Sequence, residues 1–193
     1  MLTITKRRCR IWTTLWLMLT LTACTIAPTV SRFGIDGVEC VGSIVNPPAG
    51  LVESNDPDLL KSALGATSQG KLCTGKVFVA EQPVVVYRVW DAAASYTLLG
   101  RWWSFDAPTG SRDSYREKNA ICPSWSALNR VSACTLKPGS KIVVGPGQSA
   151  KCDDQLTYPP SAVNQIYMAN DSRAGQVWVE NCTAGEVWPT GAQ

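Results

Sequence analysis

Six cysteines spread between residues 40 and 182 constrain this chain more than any other feature. The 193-residue sequence contains eight cysteines, and two of them, Cys9 and Cys24, lie near its N-terminus. The other six are Cys40, Cys73, Cys122, Cys134, Cys152 and Cys182. An even set in an exported chain predicts a disulfide-linked fold. Six cysteines allow fifteen pairings, among which a local link between Cys122 and Cys134 is plausible.

Residues 1–23 have the layout of an export signal. Four basic side chains precede a short apolar run over 11–21, which is too short for a confident membrane span. The run ends in Leu21-Thr22-Ala23-Cys24, which resembles the lipobox of bacterial lipoproteins, where the cysteine is acylated and becomes the new N-terminus. Because Thr25 and not an aspartate follows, the resemblance implies anchoring in the outer membrane. The alternative is an ordinary cleaved signal with a chance cysteine.

Cleavage before Cys24 defines the predicted organisation of the mature chain. Residues 24–50 are rich in turn-forming residues and are predicted to be a lipidated tether and an irregular N-terminal segment. Residues 51–193 are then long enough to form one domain with its own core.

The mature chain lacks the charge that a nucleic-acid-binding protein needs. The signal holds four of the 18 basic residues and none of the 15 acidic ones, so the formal net charge falls from +3 to −1 after cleavage. The remaining basic residues are scattered and form no stripe that would neutralise phosphates. We therefore expect no nucleic acid among the partners.

The sequence contains no histidine, and this limits its chemistry. Every mechanism that uses an imidazole as base is excluded, including the Ser-His-Asp and Cys-His arrangements. No pair of cysteines has the CxxC spacing of a zinc site, so we expect no metal.

Local patterns predict an α+β domain with short elements. Asp56 is a candidate N-cap for a short amphipathic helix within 56–66, and Ser111 opens a polar helix over 111–119. A turn with a short helix is predicted over 121–131. Strands are predicted over 76–80, 84–90, 141–144, 164–168 and 175–179.

Five blocks in one order carry a resemblance to a known fold. They are YRVW at 87–90, GRWWS at 100–104, PSWSALNRV at 123–131, LKPGSKIVVGPGQSA at 136–150 and SAVNQIYM at 161–168. Together they resemble the ADP-ribosyltransferase-like fold, with the nearest pattern in bacterial toxin domains and secreted NAD glycohydrolases of the necrotizing-toxin type. The resemblance covers about half of the mature chain. It implies a split, mixed β-sheet with a few short helices.

The resemblance also implies an activity, which is cleavage of NAD at the nicotinamide-ribose bond, or transfer of ADP-ribose. NAD is then the substrate, and no cofactor is required. Arg88 would bind the phosphates, because a guanidinium meets such oxygens bidentately. Ser104 would contact the ribose, and Gln165 would take the third catalytic position. A glutamine there can hold a hydroxyl but cannot accept a proton, which favours hydrolysis over transfer.

Three aromatic residues are the substrate-binding candidates of the same resemblance. Tyr87 precedes the strand arginine, and Trp102 or Trp103 would stack on the nicotinamide or close the pocket. Neighbours on a strand face opposite sides, so at least one of the two tryptophans is expected in the core.

Alternative interpretations of these residues stay open at this stage. Arg88 on an edge strand would reach solvent or pair with Asp91. Gln148 is a rival for the third catalytic position. Asp106 and Glu180 are carboxylate alternatives that are more typical of surface charges.

A function of a different class is also open. NAD is mainly cytosolic, so a lipid-anchored envelope protein would seldom meet it. The scaffold would then bind a protein or a surface ligand without turnover, as a non-enzymatic envelope lipoprotein.

Overall fold

The computed structural model describes residues 31–189, and the predicted signal and the predicted acylation site, Cys24, lie outside this range. The strands are β1 (Leu51–Ser54), β2 (Lys76–Ala80), β3 (Val84–Trp90), β4 (Trp102–Trp103), β5 (Arg130–Leu136), β6 (Lys141–Gly147), β7 (Ala150–Lys151), β8 (Thr157–Tyr158), β9 (Ser161–Tyr167), β10 (Val179–Glu180) and β11 (Glu186–Val187). The α-helices are α1 (Pro57–Ala63) and α2 (Arg112–Asn119). Short 3₁₀ helices cover Ser95–Leu99, Pro123–Trp125 and Ser172–Ala174.

Two antiparallel sheets form the body of the domain. The first has the order β1-β2-β6-β9-β4. In the second, β5 pairs with β3 along its whole length and with β10 and β11 along its other edge. Every pair of named strands in the described chain is antiparallel, so the prediction of a mixed sheet is wrong. Two sheets with a few short helices fit the broad α+β class.

The main core lies between the two sheets. Alternating side chains of β2, β6 and β9 on one side meet those of β3 and β5 on the other, as strand geometry requires. Its largest fully buried members include Leu136, Ile142, Ile166 and Met168. Helix α1 covers the other face of the first sheet, where Val77, Val143 and Tyr167 bury its Ala63.

Local signals determine both α-helices. The Asp56 side chain accepts the backbone N–H of Leu59 at 3.1 Å and caps α1. The Ser111 hydroxyl accepts the N–H of Ser114 at 3.2 Å and caps α2. Each cap satisfies a donor that the first turn of a helix leaves free. Both predicted helices are confirmed.

Strand predictions succeeded where β-branched residues dominate and failed elsewhere. The strands over 76–80 and 84–90 are confirmed, the one over 141–144 lies within β6, and the one over 164–168 lies within β9 except for Met168. The strand predicted over 175–179 is wrong, because only its last residue enters β10. The turn and helix predicted over 121–131 occupy only Pro123–Trp125, and the chain enters β5 at Arg130.

Three disulfides connect the described cysteines as Cys40–Cys73, Cys122–Cys152 and Cys134–Cys182. The predicted Cys122–Cys134 link is therefore wrong, because Cys134 faces the main core from β5 while Cys122 faces a small separate cluster with Ala120 and Ala150. Disulfides form in oxidising compartments, so three of them indicate a domain outside the cytoplasm. Within residues 31–189 no helix has the length and apolarity to cross a membrane.

The close packing of β6 makes Gly145→Ala a test of the first sheet. A Cβ at Gly145 would lie 1.9 Å from the backbone oxygen of Thr74, which cannot move without shifting the chain. We expect a loss of about 1 to 3 kcal/mol in the free energy of unfolding, as for other overpacked sites. Urea denaturation of the oxidised protein measures it, and an unchanged midpoint would contradict this packing.

Candidate functional site

The two sheets are joined by hydrogen bonds at one corner. Immediately after β4, the N–H of Ser104 donates to the carbonyl of Tyr87 at 2.9 Å, and the N–H of Tyr87 donates to the carbonyl of Ser104 at 2.8 Å. This bridge connects the first sheet to β3 of the second. It places the segment 97–104 directly beside Arg88.

The Arg88 guanidinium is held by main-chain carbonyls at this corner. Its Nε donates to the carbonyl of Thr97, and its Nη1 donates to the carbonyl of Trp102. The guanidinium carbon lies 5.8 Å from the centroid of the Trp103 ring, within the range of a cation–π contact. Gly100 leaves room for this arrangement, because a Cβ there would lie 2.1 Å from Nη2.

Arg88 has no acidic partner among residues 31–189. It takes part in none of the ion pairs of the described chain, and the Asp91 carboxylate instead accepts the N–H of Ala93 at 2.9 Å. The predicted alternative of pairing with Asp91 is therefore wrong, whereas Arg88 is half-buried and keeps some contact with solvent. Burial lowers the pKa of the Arg88 guanidinium to about 10, so the group is still charged at neutral pH.

A cavity of about 170 Å³ lies against this guanidinium. Tryptophan and aliphatic side chains form most of its wall, and the lining contains no carboxylate. Its lining includes Arg88, Trp102, Trp103, Tyr115, Asn119, Ile121, Trp125, Leu128 and Gln165. The cavity therefore combines aromatic and aliphatic surface with polar groups, and two cations line it, Arg88 and Lys71, neither of which forms an ion pair within residues 31–189.

Gln165 brings an amide to the cavity from β9. Its side chain is 6% exposed, and its Nε2 donates to the carbonyl of Asn119 at 3.2 Å. This bond ties the end of α2 to the first sheet. On β9, Gln165 pairs with Gly145 of the neighbouring strand β6, so the register of the sheet sets its position.

Tyr115 is a site residue that the sequence analysis did not identify. It lies on α2 one turn before Asn119, and both residues line the cavity. Its ring packs edge-on against Trp188 with centroids 5.0 Å apart. Burial raises the pKa of its phenol to about 12, and the Arg88 guanidinium opposes that shift. The only sequence signal was a lone aromatic residue in a polar helix.

Two of the three predicted catalytic residues share this cavity, and the third lies next to it. Arg88 and Gln165 line the cavity, whereas Ser104 lines an adjoining groove of about 360 Å³. Tyr115 and Asn119 line both spaces and separate them. The Ser104 hydroxyl donates to the carbonyl of Asp106 at 2.8 Å.

The predicted aromatic residues divide between cavity and core. Trp103 is buried in the main core, and its Nε1 donates to the carbonyl of Gly100 at 2.8 Å. Trp102 packs against Tyr167 with ring centroids 5.0 Å apart, on the other side of the strand. The expected role of one tryptophan in packing is confirmed. Tyr87 lies away from the cavity and lines a separate groove beside Trp188.

The remaining alternatives do not reach the cavity. Gln148 is buried elsewhere, where its Oε1 accepts the N–H of Ser149 at 2.8 Å and its Nε2 lies 3.6 Å from the sulfur of Cys73. Asp106 and Glu180 are exposed. The lining of the cavity thus offers two cations, two amides and a phenol, and no carboxylate that would serve as a base.

Neither a protein-family profile, nor a curated protein sequence, nor a solved structure matches this chain.

Proposed function

We propose that this domain binds a small planar anion in the cavity beside Arg88, as a binding module and not an enzyme. The observation that carries the proposal is the guanidinium itself, which reaches the cavity wall with no carboxylate to neutralise it. A cation withdrawn from water is costly unless an anion accompanies it. An anionic ligand would supply that partner.

The size of the cavity supports a single ring. Its volume of about 170 Å³ is close to the ~150 Å³ of an apolar cavity that holds benzene. Sites for larger ligands usually occupy ~300 to 1,000 Å³. Trp102, Trp103 and Trp125 supply aromatic surface on the wall, and the Gln165 amide would bond a polar substituent.

Cleavage of NAD is a second candidate, and one observation favours it. Arg88 and Gln165 line the same cavity, and Ser104 lines the adjoining groove, which together reproduce part of the arrangement that the resemblance implies. Only the nicotinamide ring would fit the cavity, so the rest of the dinucleotide would lie in the groove. Two facts weigh against this candidate. The Nε and Nη1 of Arg88 are already bonded to carbonyls, and its charge would repel the cationic ring of intact NAD.

Benzoate and benzamide form a matched pair for testing the proposal by titration calorimetry on the oxidised protein. The two probes have the same ring and differ in charge. We expect benzoate to bind about tenfold more tightly, because a charge-assisted hydrogen bond adds about 1.5 kcal/mol. Gln165→Glu would place a carboxylate in the cavity and abolish the preference for benzoate.

The control is Asn164→Asp, which makes the same chemical change at the neighbouring residue of β9, outside the cavity. Near-ultraviolet circular dichroism confirms that each variant is folded. Equal binding of the two probes, or a Gln165→Glu protein that keeps the benzoate preference, would overturn the anion site. Release of nicotinamide from NAD by the wild type would instead favour the enzyme.

A further inference from the structure

The N-terminal segment, residues 31–46, exposes a series of apolar side chains. It contains no helix or strand beyond one bridge between Phe33 and Glu39, with a turn at Gly37. Its exposed apolar residues are Phe33 (53% exposed), Ile35 (61%), Val38 (47%), Val41 (48%) and Val45 (46%). Five such residues within thirteen positions are more than the single, scattered exposures that are usual on a protein surface.

This segment is fixed to the domain. The Cys40–Cys73 disulfide holds its middle. The Asp36 carboxylate accepts both the N–H and the hydroxyl of Thr67 at 2.6 Å, and these bonds lower the pKa of Asp36 to about 2. Near its end, the Asn164 side chain accepts the N–H of Val45 and donates to the carbonyl of Ser43. The backbone of the segment is therefore held against the domain, while its five apolar residues stay 46–61% exposed.

The position of the segment along the chain identifies what covers it. Ser31 follows Cys24 by only seven residues. An extended chain spans at most about 3.5 Å per residue, so the segment lies within roughly 25 Å of the atom that carries the predicted acyl chains. If Cys24 is acylated, the bilayer that holds its acyl chains is an apolar phase within reach of this segment.

We propose that the N-terminal segment docks on the lipid bilayer, with Phe33 and Ile35 entering the interface. The proposal rests on the predicted acylation of Cys24, and it is independent of the anion cavity. Burial of apolar side chains would drive the contact. Charge would contribute little, because Arg32 pairs with Glu39 at 3.0 Å and Asp36 leaves the segment with one net negative charge.

Vesicle binding of a chain that cannot be acylated tests the contact itself. The Cys24→Ser chain is produced behind a generic cleavable export signal and sedimented with phosphatidylcholine vesicles. We expect measurable binding, a loss of about tenfold in the partition coefficient for Phe33→Ser with Ile35→Ser, and little change with salt. The control pair is Val85→Ser with Val187→Ser, two exposed residues of the second sheet, which should bind like the parent.

A fluorescence measurement keeps the proposal testable if the double variant misfolds. Phe33→Trp should be quenched by brominated phosphatidylcholine beyond the level of the parent chain. Absence of this quenching, or equal losses in both variant pairs, would overturn the proposal. The proposal would also be overturned if the protein dimerised in the absence of vesicles and Phe33→Ser abolished the dimer. A second copy of the chain would then be what covers the N-terminal segment. Mass spectrometry of the native protein tests the acylation of Cys24 separately. A missing acyl group can therefore be distinguished from a segment that does not bind the bilayer.

Discussion

Replacing Arg88 by alanine is expected to lower the free energy of unfolding by about 3 to 5 kcal/mol. The guanidinium bonds the carbonyls of Thr97 and Trp102, and a hydrogen bond to a charged donor contributes about 1.5 to 3 kcal/mol. Its contact with Trp103 adds about 0.5 to 1 kcal/mol. Without Arg88 the Trp102 carbonyl loses this charged donor, and the Thr97 carbonyl keeps only the N–H of Gly100, at the corner where the sheets meet. Urea denaturation of the oxidised protein measures the change.

Two variants separate the geometry of Arg88 from its charge. Arg88→Lys keeps the charge, but one ammonium cannot match the fork that reaches two carbonyls, so it should recover less than half of the loss. Arg32→Ala removes an exposed arginine whose ion pair with Glu39 is on the surface, and it should change stability by well under 1 kcal/mol. Arg88→Ala with wild-type stability would show that these bonds are not structural.

Because Arg88 stabilises the corner, binding or turnover data for cavity variants must be interpreted together with their stability. Loss of binding or turnover in Arg88→Ala would follow from damage to the corner as readily as from loss of a ligand contact. Gln165 is the better test position, because its side chain makes one hydrogen bond, to the carbonyl of Asn119. For this reason the anion site is tested at Gln165 and the stability of the corner at Arg88.

The parts of the fold that sequence predicted are those that local chemistry determines. Helix α1 begins at a capping aspartate and α2 at a capping serine, and each cap bonds an N–H only three residues away. Strand β3 is a run of β-branched residues that favours extended structure in most contexts. Each of these elements is specified within its own few residues.

Strand β5 shows why the rest was not predictable. Its buried positions are Ser132, Cys134 and Leu136, and the first two are too small and polar to give an apolar alternation. The strand forms because seven residues pair with β3 and because Cys134 is linked to Cys182. Neither contact is visible within a local window of sequence.

The candidate site was predicted in part, for a similar reason. Arg88, Trp102 and Gln165 reach one cavity because β3, β4 and β9 meet at the sheet corner. Tyr115 comes from α2, whose docking on β9 depends on the Gln165 bond to Asn119. Nothing in the sequence of a polar helix indicates which of its faces will cover a cavity.

Removing the Cys134–Cys182 disulfide is the second change for which we expect a large effect. A cross-link over 48 residues restricts the unfolded chain by about 4 kcal/mol in the loop-entropy description. Cys134 is also fully buried in the main core, so two alanines would leave unfilled space there. We expect a loss of about 4 kcal/mol or more in urea denaturation.

Comparison with the other two links tests where this stabilisation originates. The separations of 30 and 33 residues give loop-entropy values only a few tenths of a kcal/mol smaller, so entropy alone predicts three nearly equal losses. Packing instead predicts that removal of the three disulfides lowers the free energy of unfolding by different amounts. Cys40–Cys73 holds a segment that belongs to neither sheet, so its removal should raise hydrogen exchange in residues 31–46 before it lowers global stability. If Cys40→Ala with Cys73→Ala proved the most destabilising pair, the N-terminal segment would have to be an integral part of the core and not a surface held against it.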